Sequence, residues 1–139
     1  MPADGGEAVQ ITRKGGSFPQ DSMDGKTLFY VKRKGRSAGT GSDELWEVPA
    51  DGGEESRVLE DVYLKNFDVK QRGIYYVSKP DRDSTPLLFY EFKSGRSKLV
   101  ATIPQGGGVG FTVSPDEQTI LYVLAGNWGL NLMLVENFR

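Results

Sequence analysis

The sequence predicts an all-β fold made from one four-stranded unit used three times, on three observations. First, the apolar tetrads Leu28-Phe29-Tyr30-Val31, Ile74-Tyr75-Tyr76-Val77 and Ile120-Leu121-Tyr122-Val123 recur at a constant spacing of 46 residues, each with Tyr third and Val fourth. Second, every tetrad is flanked by further short apolar runs bounded by Gly, Asp, Pro and Ser turns. Third, no window combines a 3.6-residue apolar period with helix caps, so helix should be nearly absent.

The elements follow in order within each unit. A first strand, A, is expected at Ser17 to Ser22, Asn66 to Lys70 and Val109 to Ser114, closed by turns such as Asp24-Gly25-Lys26 and Pro115-Asp116-Glu117. The tetrads are strand B and the unit's centre. Strand C is expected at Leu45 to Val48, Leu88 to Phe92 and Leu132 to Val135. In the first two units a turn, Asp51-Gly52-Gly53 or Lys93-Ser94-Gly95, leads into strand D at Ser56 to Leu59 or Lys98 to Ile103, because Gly supplies the positive φ of a tight hairpin.

Four antiparallel strands at a period in the forties describe the blade of a β-propeller. A β-sandwich of about twelve strands is the alternative, but a sandwich has no reason to repeat at a constant period. The boundaries read as 13–60 for blade one, 61–103 for blade two and 104–139 for blade three, which lacks strand D. Met1-Pro2-Ala3-Asp4-Gly5-Gly6-Glu7 matches Val48-Pro49-Ala50-Asp51-Gly52-Gly53-Glu54 at six of seven positions, so residues 1–12 read as the end of a C-to-D hairpin, with Ala8 to Thr12 a D strand. Propellers have four to eight blades, so three do not close alone. The expectation is a homodimer, a six-bladed ring in which each N-terminal strand completes the partner's third blade.

Composition narrows the function. The 139 residues carry no Cys and no His, which removes disulfides, thiolate zinc sites, cysteine nucleophiles and every triad built on imidazole. With 17 Lys and Arg against 19 Asp and Glu, the net charge of -2 offers no basic excess for phosphates, so nucleic acid is not expected as a partner. The polar N-terminus is followed by no apolar stretch, so neither a signal peptide nor a membrane anchor is expected, and the compartment stays open.

The strings Ala8-Val9-Gln10-Ile11-Thr12, Asp24-Gly25-Lys26-Thr27-Leu28-Phe29-Tyr30-Val31, Ser114-Pro115-Asp116 and Leu132-Met133-Leu134-Val135-Glu136-Asn137-Phe138-Arg139 resemble TolB-like β-propeller repeats. In particular they resemble the C-terminal part of acidobacterial proteins that join a winged-helix DNA-binding domain to such a propeller. The Ser-Pro-Asp turn between strands A and B, the family's most repeated element, is complete only in blade three. Blade one has Ser22-Met23-Asp24 and blade two has Asp68-Val69-Lys70. The resemblance implies a non-catalytic interaction module. Related propellers also shield the active sites of prolyl oligopeptidase-type peptidases.

Chemical motifs are few. Gly106-Gly107-Gly108-Val109-Gly110 leads into a strand rather than a helix, so it reads as close backbone approach in the innermost strand and not as a phosphate loop. Gly25-Lys26-Thr27 lacks the upstream Gly of a Walker motif, where Gln20 stands. Asp81-Arg82-Asp83 opens like a calcium loop, but Pro86 and Phe92 occupy its Gly and Glu positions, so no metal is expected. No cofactor and no catalytic residue is expected either.

The B-to-C loops share one face around the channel mouth and offer Arg33, Lys34 and Arg36, then Arg82, then Asn127 and Trp128 as candidate binding residues for a protein or small polar ligand. Trp46, on strand C, reads as a blade-packing residue. The functional expectation is a non-catalytic binding or scaffolding module, with a ligand-sensing domain of a bacterial regulator or an accessory propeller of a hydrolase as alternatives.

Overall fold

The structure is a computed structural model, and it describes residues 5–34, 42–82, 84–104, 107–126, 129–136 and 138. Eleven strands run in chain order: β1 (Ser17–Asp21), β2 (Thr27–Arg33), β3 (Ser42–Pro49), β4 (Ser56–Tyr63), β5 (Phe67–Val69), β6 (Gly73–Val77), β7 (Ser84–Glu91), β8 (Arg96–Pro104), β9 (Gly107–Val113), β10 (Thr119–Gly126) and β11 (Gly129–Glu136). They form three antiparallel meanders, β1-β2-β3-β4, β5-β6-β7-β8 and β9-β10-β11. No helix occurs among the described residues, and the three tetrads occupy β2, β6 and β10, interior to every sheet.

Pairing register explains why the tetrads repeat. Directly opposed residues share a face of a sheet, and Val31 opposes Leu45 as Tyr75 opposes Phe89 and Tyr122 opposes Met133. Alternate tetrad positions therefore serve the two faces. The core between blades one and two contains Phe29, Val31, Leu45, Leu59, Val62, Phe67, Val69, Ile74 and Tyr76. The core between blades two and three contains Tyr75, Val77, Leu87, Phe89, Ile103, Val113, Ile120 and Tyr122. Blade two is sandwiched, and all five residues of β6 are buried. At the roughly 1.5–3 kcal/mol that a fully buried Val, Leu, Ile or Phe contributes, these two cores hold the blades face to face.

Side-chain amides stitch the innermost strands together. Gln20 Nε2 donates to the Phe67 carbonyl at 2.8 Å while its Oε1 accepts from the Val69 N–H at 3.0 Å, which ties blade one to blade two. One repeat later, Asn66 Nδ2 donates to the Gly108 carbonyl at 3.0 Å and its Oδ1 accepts from the Gly110 N–H at 3.0 Å. Blade two adds a second clamp: Asp68 accepts from the Val113 N–H at 2.6 Å, and Lys70 donates to the Val113 carbonyl at 2.7 Å.

Strand bounds shift by up to four residues from the sequence reading in every blade, the starts of β3, β7 and β11 included. β4 continues to Tyr63, past the expected boundary at 60/61, because Val62 opposes Asp43 and is fully buried. β8 likewise takes in Pro104, one residue past the boundary at 103/104. Phe92 leaves strand C and enters the turn, where its ring stacks on Phe29 at 5.7 Å. Within the glycine cluster the close approach is to the neighbouring strand: a Cβ on Gly108 or Gly110 would lie 3.0 or 2.7 Å from a methyl of Val123.

Candidate functional site

Among the described residues the stack has two outer sheet faces with no blade against them, and they differ in chemistry. On β10 and β11 the pairs Leu121–Leu134 and Val123–Leu132 and the neighbouring pair Ala125–Leu130 alternate with the buried residues and point away from blade two. Leu130, Leu132 and Leu134 are 70%, 77% and 55% exposed, and Leu121 and Val109 are exposed as well. Scattered exposed leucines are ordinary, but a contiguous apolar patch on one sheet face marks an interaction surface. β11 is also the outer edge of its sheet, with no fourth strand among the described residues, whereas β3 and β7 pair there with β4 and β8.

Blade one's open face is aromatic and charged. Leu28 opposes Val48, Tyr30 opposes Trp46 and Lys32 opposes Glu44, all on the side away from blade two. The Lys32 ammonium lies 4.0 Å from the Trp46 ring centroid and 5.5 Å from that of Tyr30, a cation–π contact, and it pairs with Glu55. The indole N–H of Trp46 donates to Glu44 at 3.0 Å, and Arg57 pairs with the same carboxylate at 3.0 Å. Trp46 thus stands on the outward face and takes no part in packing blade one on blade two.

Ionisation on this face follows from those partners. Burial pushes the Tyr30 hydroxyl up to about 12, with the nearby Glu55 carboxylate adding to the effect. That hydroxyl is buried without a hydrogen-bond partner of normal geometry. Hydrogen bonds from Lys32 and from the Arg13 N–H hold Glu55 below the usual carboxylate range. Burial raises Glu44, but the bonds from Trp46 and Arg57 outweigh it and leave its carboxyl lowered.

The segment before β1 runs along this face. Ile11, Thr12, Gly16, Ser17 and Pro19 border, with Leu28, Tyr30 and Val48, a cleft of about 220 Å³. Gly16 lies so close to Tyr30 that an added Cβ would stand 2.6 Å from the ring. Although no blade covers this face, Val48 is fully buried and Tyr30 is nearly so. Residues 8–12 have no strand ladder in the single chain.

At the channel mouth, Arg33 and Lys34 are exposed at the end of β2, and Lys34 Nζ points at the Glu60 carbonyl at 3.4 Å. Arg82 is exposed in the loop before β7, where its N–H donates to the Asp81 carboxylate at 2.8 Å. Arg36, Asn127 and Trp128 lie outside the described residues, as does Asp83 of the calcium-like string. No contact joins Arg33, Lys34 and Arg82 among the described residues. The nearby carboxylate Asp61 instead accepts from Ser42 and from the Lys79 N–H.

The Ser-x-Asp turns are structural. Ser22 donates to Asp24 at 2.7 Å and accepts from the Thr27 N–H at 2.9 Å, while Asp24 accepts from the Lys26 N–H at 3.1 Å. The Ser22 hydroxyl and these backbone bonds lower the Asp24 carboxyl. Ser114 and Asp116 repeat the pattern toward Thr119 and Gln118. No group of three or more His, Cys, Asp or Glu able to hold a metal occurs among the described residues.

No known family model matches the sequence, and no curated protein matches it. Solved structures do match in shape. The chain superposes on TolB from Acinetobacter baumannii with a TM-score of 0.58 at 17% identity, covering 86% of this chain and 29% of that one. It superposes on the tricorn protease with a TM-score of 0.50 at 11% identity, covering 85% of this chain and 13% of that one. For the β-propeller domain of the Trilobed protease from Pyrococcus furiosus, described as having an open velcro topology, the values are 0.49 and 12%, with 89% and 41% covered. This chain therefore spans less than half the length of each. The likeness is one of fold: the three stacked sheets are a TolB-like β-propeller fragment.

Proposed function

We propose that the chain is a non-catalytic binding and assembly module, and that it binds through the open leucine face of blade three. The observation that carries this reading is the row of Leu121, Leu130, Leu132 and Leu134 on one side of a sheet whose other side is packed as core. Such a face is built like the interior face of a stacked blade, and its natural complement is another sheet surface of similar chemistry. Each leucine taken fully out of water contributes about 1.5–3 kcal/mol, from which association costs must be subtracted. Catalysis is not part of the proposal: with no His and no Cys, chemistry would rest on carboxylates, and Asp24, Glu44 and Glu55 are each already held in ion pairs or turn hydrogen bonds.

The test is sedimentation equilibrium of the wild-type chain and of Leu132→Glu/Leu134→Glu. The wild type is expected to associate with rising concentration, and the variant to remain monomeric with an unchanged far-ultraviolet β signal. Equal association of the two would show that this face is not the binding surface.

A further inference from the structure

Resting on that reading, we propose that the occupant of the leucine face is blade one of a second copy, and that the copy's residues Ala8–Thr12 add to β11 as a fourth strand. The repeat itself argues for this. Leu59, which ends the equivalent stretch of β4, belongs to the same core as Ile74 and Tyr76 of blade two, with Val58 and Tyr90 packed against it. Ile11 and Thr12 hold the matching place on blade one, across the cleft from Leu28, Tyr30 and Val48. The segment already sits where the outermost strand of a preceding blade would lie, beside a face with no blade on it. At the other end of the stack, β11 is a sheet edge with no strand paired to it among the described residues.

The seats also match in chemistry. Blade one presents Leu28, Tyr30, Trp46 and Val48 at the positions that Ile74, Tyr76, Leu88 and Tyr90 hold on blade two's face toward blade one, and blade three presents Leu121, Val123, Leu132 and Leu134 at the positions that Phe29, Val31, Leu45 and Glu47 hold on blade one's face toward blade two. Val9 is 74% exposed and belongs to no sheet of the single chain. Two copies joined in this way at both junctions make a closed six-bladed ring, within the four to eight blades that propellers adopt.

The duplication of residues 1–7 and 48–54 fixes the register. Glu47 opposes Ser56 and Trp46 opposes Arg57 in blade one. The same alignment sets Val9 of one copy opposite Leu134 of the other, and Gln10 opposite Met133. Opposed residues of antiparallel strands bring their Cβ atoms to about 4.5–5.5 Å, close enough for an engineered disulfide after small adjustment.

Because the chain has no cysteine, cross-linking has no background of its own. Val9→Cys and Leu134→Cys chains are mixed and oxidised with oxidised glutathione, and the linked peptides are identified by mass. The expected result is a heterocovalent dimer of twice the chain mass joining position 9 to position 134. The pair Gln10→Cys and Met133→Cys gives the same product and serves if Leu134→Cys folds poorly. In the double variant Val9→Cys/Leu134→Cys, a disulfide confined to monomers would overturn the second copy as occupant. Association that persists and still depends on Leu132 and Leu134, with no heterocovalent product from either pair, would overturn the strand addition and leave the binding face in place. Absence of any association would instead overturn the binding-face reading itself.

Discussion

Gln20 and Asn66 occupy the same position in successive repeats, and each carboxamide grips the innermost strand of the following blade through one carbonyl and one N–H two residues apart. A carboxamide suits this place because it donates and accepts in one plane. The stack is thus held at its centre by directional bonds and farther out by apolar packing.

Asn66→Ala should therefore destabilise the fold by about 1–3 kcal/mol, since the part-buried Gly110 N–H and Gly108 carbonyl lose their partner. Gln20→Ala, at a less buried site, should cost less. Urea unfolding followed by circular dichroism measures both, and an unchanged midpoint for Asn66→Ala would exclude the clamp.

Gly73→Ala should be worse tolerated than either. A Cβ there would lie 2.0 Å from the Tyr90 carbonyl oxygen, a backbone atom that cannot swing aside. The expected loss is about 2–3 kcal/mol, as for overpacking in a rigid core. A variant with wild-type thermal stability would contradict the close approach of β6 and β7.

Tyr30 gives a pH prediction. Its hydroxyl ionises near 12 in the fold and near 10 when unfolded, so its contribution is fully present below pH 10 and is lost as pH rises toward 12. Burial also raises Tyr76, so absorbance titration should show two of the six tyrosines ionising late. Tyr30→Phe should shrink that late step by one tyrosine and raise stability above pH 10 relative to wild type. A late step of unchanged amplitude after the substitution would contradict the assignment to Tyr30.

The sequence made the blades legible because burial demands it. Both faces of β6 are covered, so Ile74-Tyr75-Tyr76-Val77 is apolar throughout, and the spacing of its copies is the blade itself. Turns were legible where Gly or Ser-x-Asp chemistry set them. The carboxamide clamps were not, because Gln20 and Asn66 look like ordinary polar residues of short strands and their partners lie in the next blade. The end of β4 was missed for a related reason: Glu60 and Asp61 break the apolar run, yet Val62 continues the ladder opposite Asp43. Arg33, Lys34 and Arg82 share only their place in loops at one end of the blades, and that place puts them in no contact with one another among the described residues.

The channel-mouth cations should be separable from assembly. Exposed charges contribute about 0–1 kcal/mol per pair and are screened by salt. Replacing Arg33, Lys34 and Arg36 with Gln should leave self-association unchanged while abolishing any weak, salt-sensitive capture of an acidic peptide. Loss of association in this variant would move the assembly surface to that face.

Removing residues 5–12 should withdraw the strand proposed for β11 and uncover Leu28, Tyr30 and Val48. The shortened chain is expected to aggregate or to melt at lower temperature. A deletion variant as stable and as soluble as the full chain would count against any role for the segment.

The mass of the particle in solution tests the assembly most directly. Sedimentation equilibrium at several loading concentrations should return a species of twice 15.3 kDa that dissociates on dilution. A well-folded species of 15.3 kDa at every concentration would contradict it.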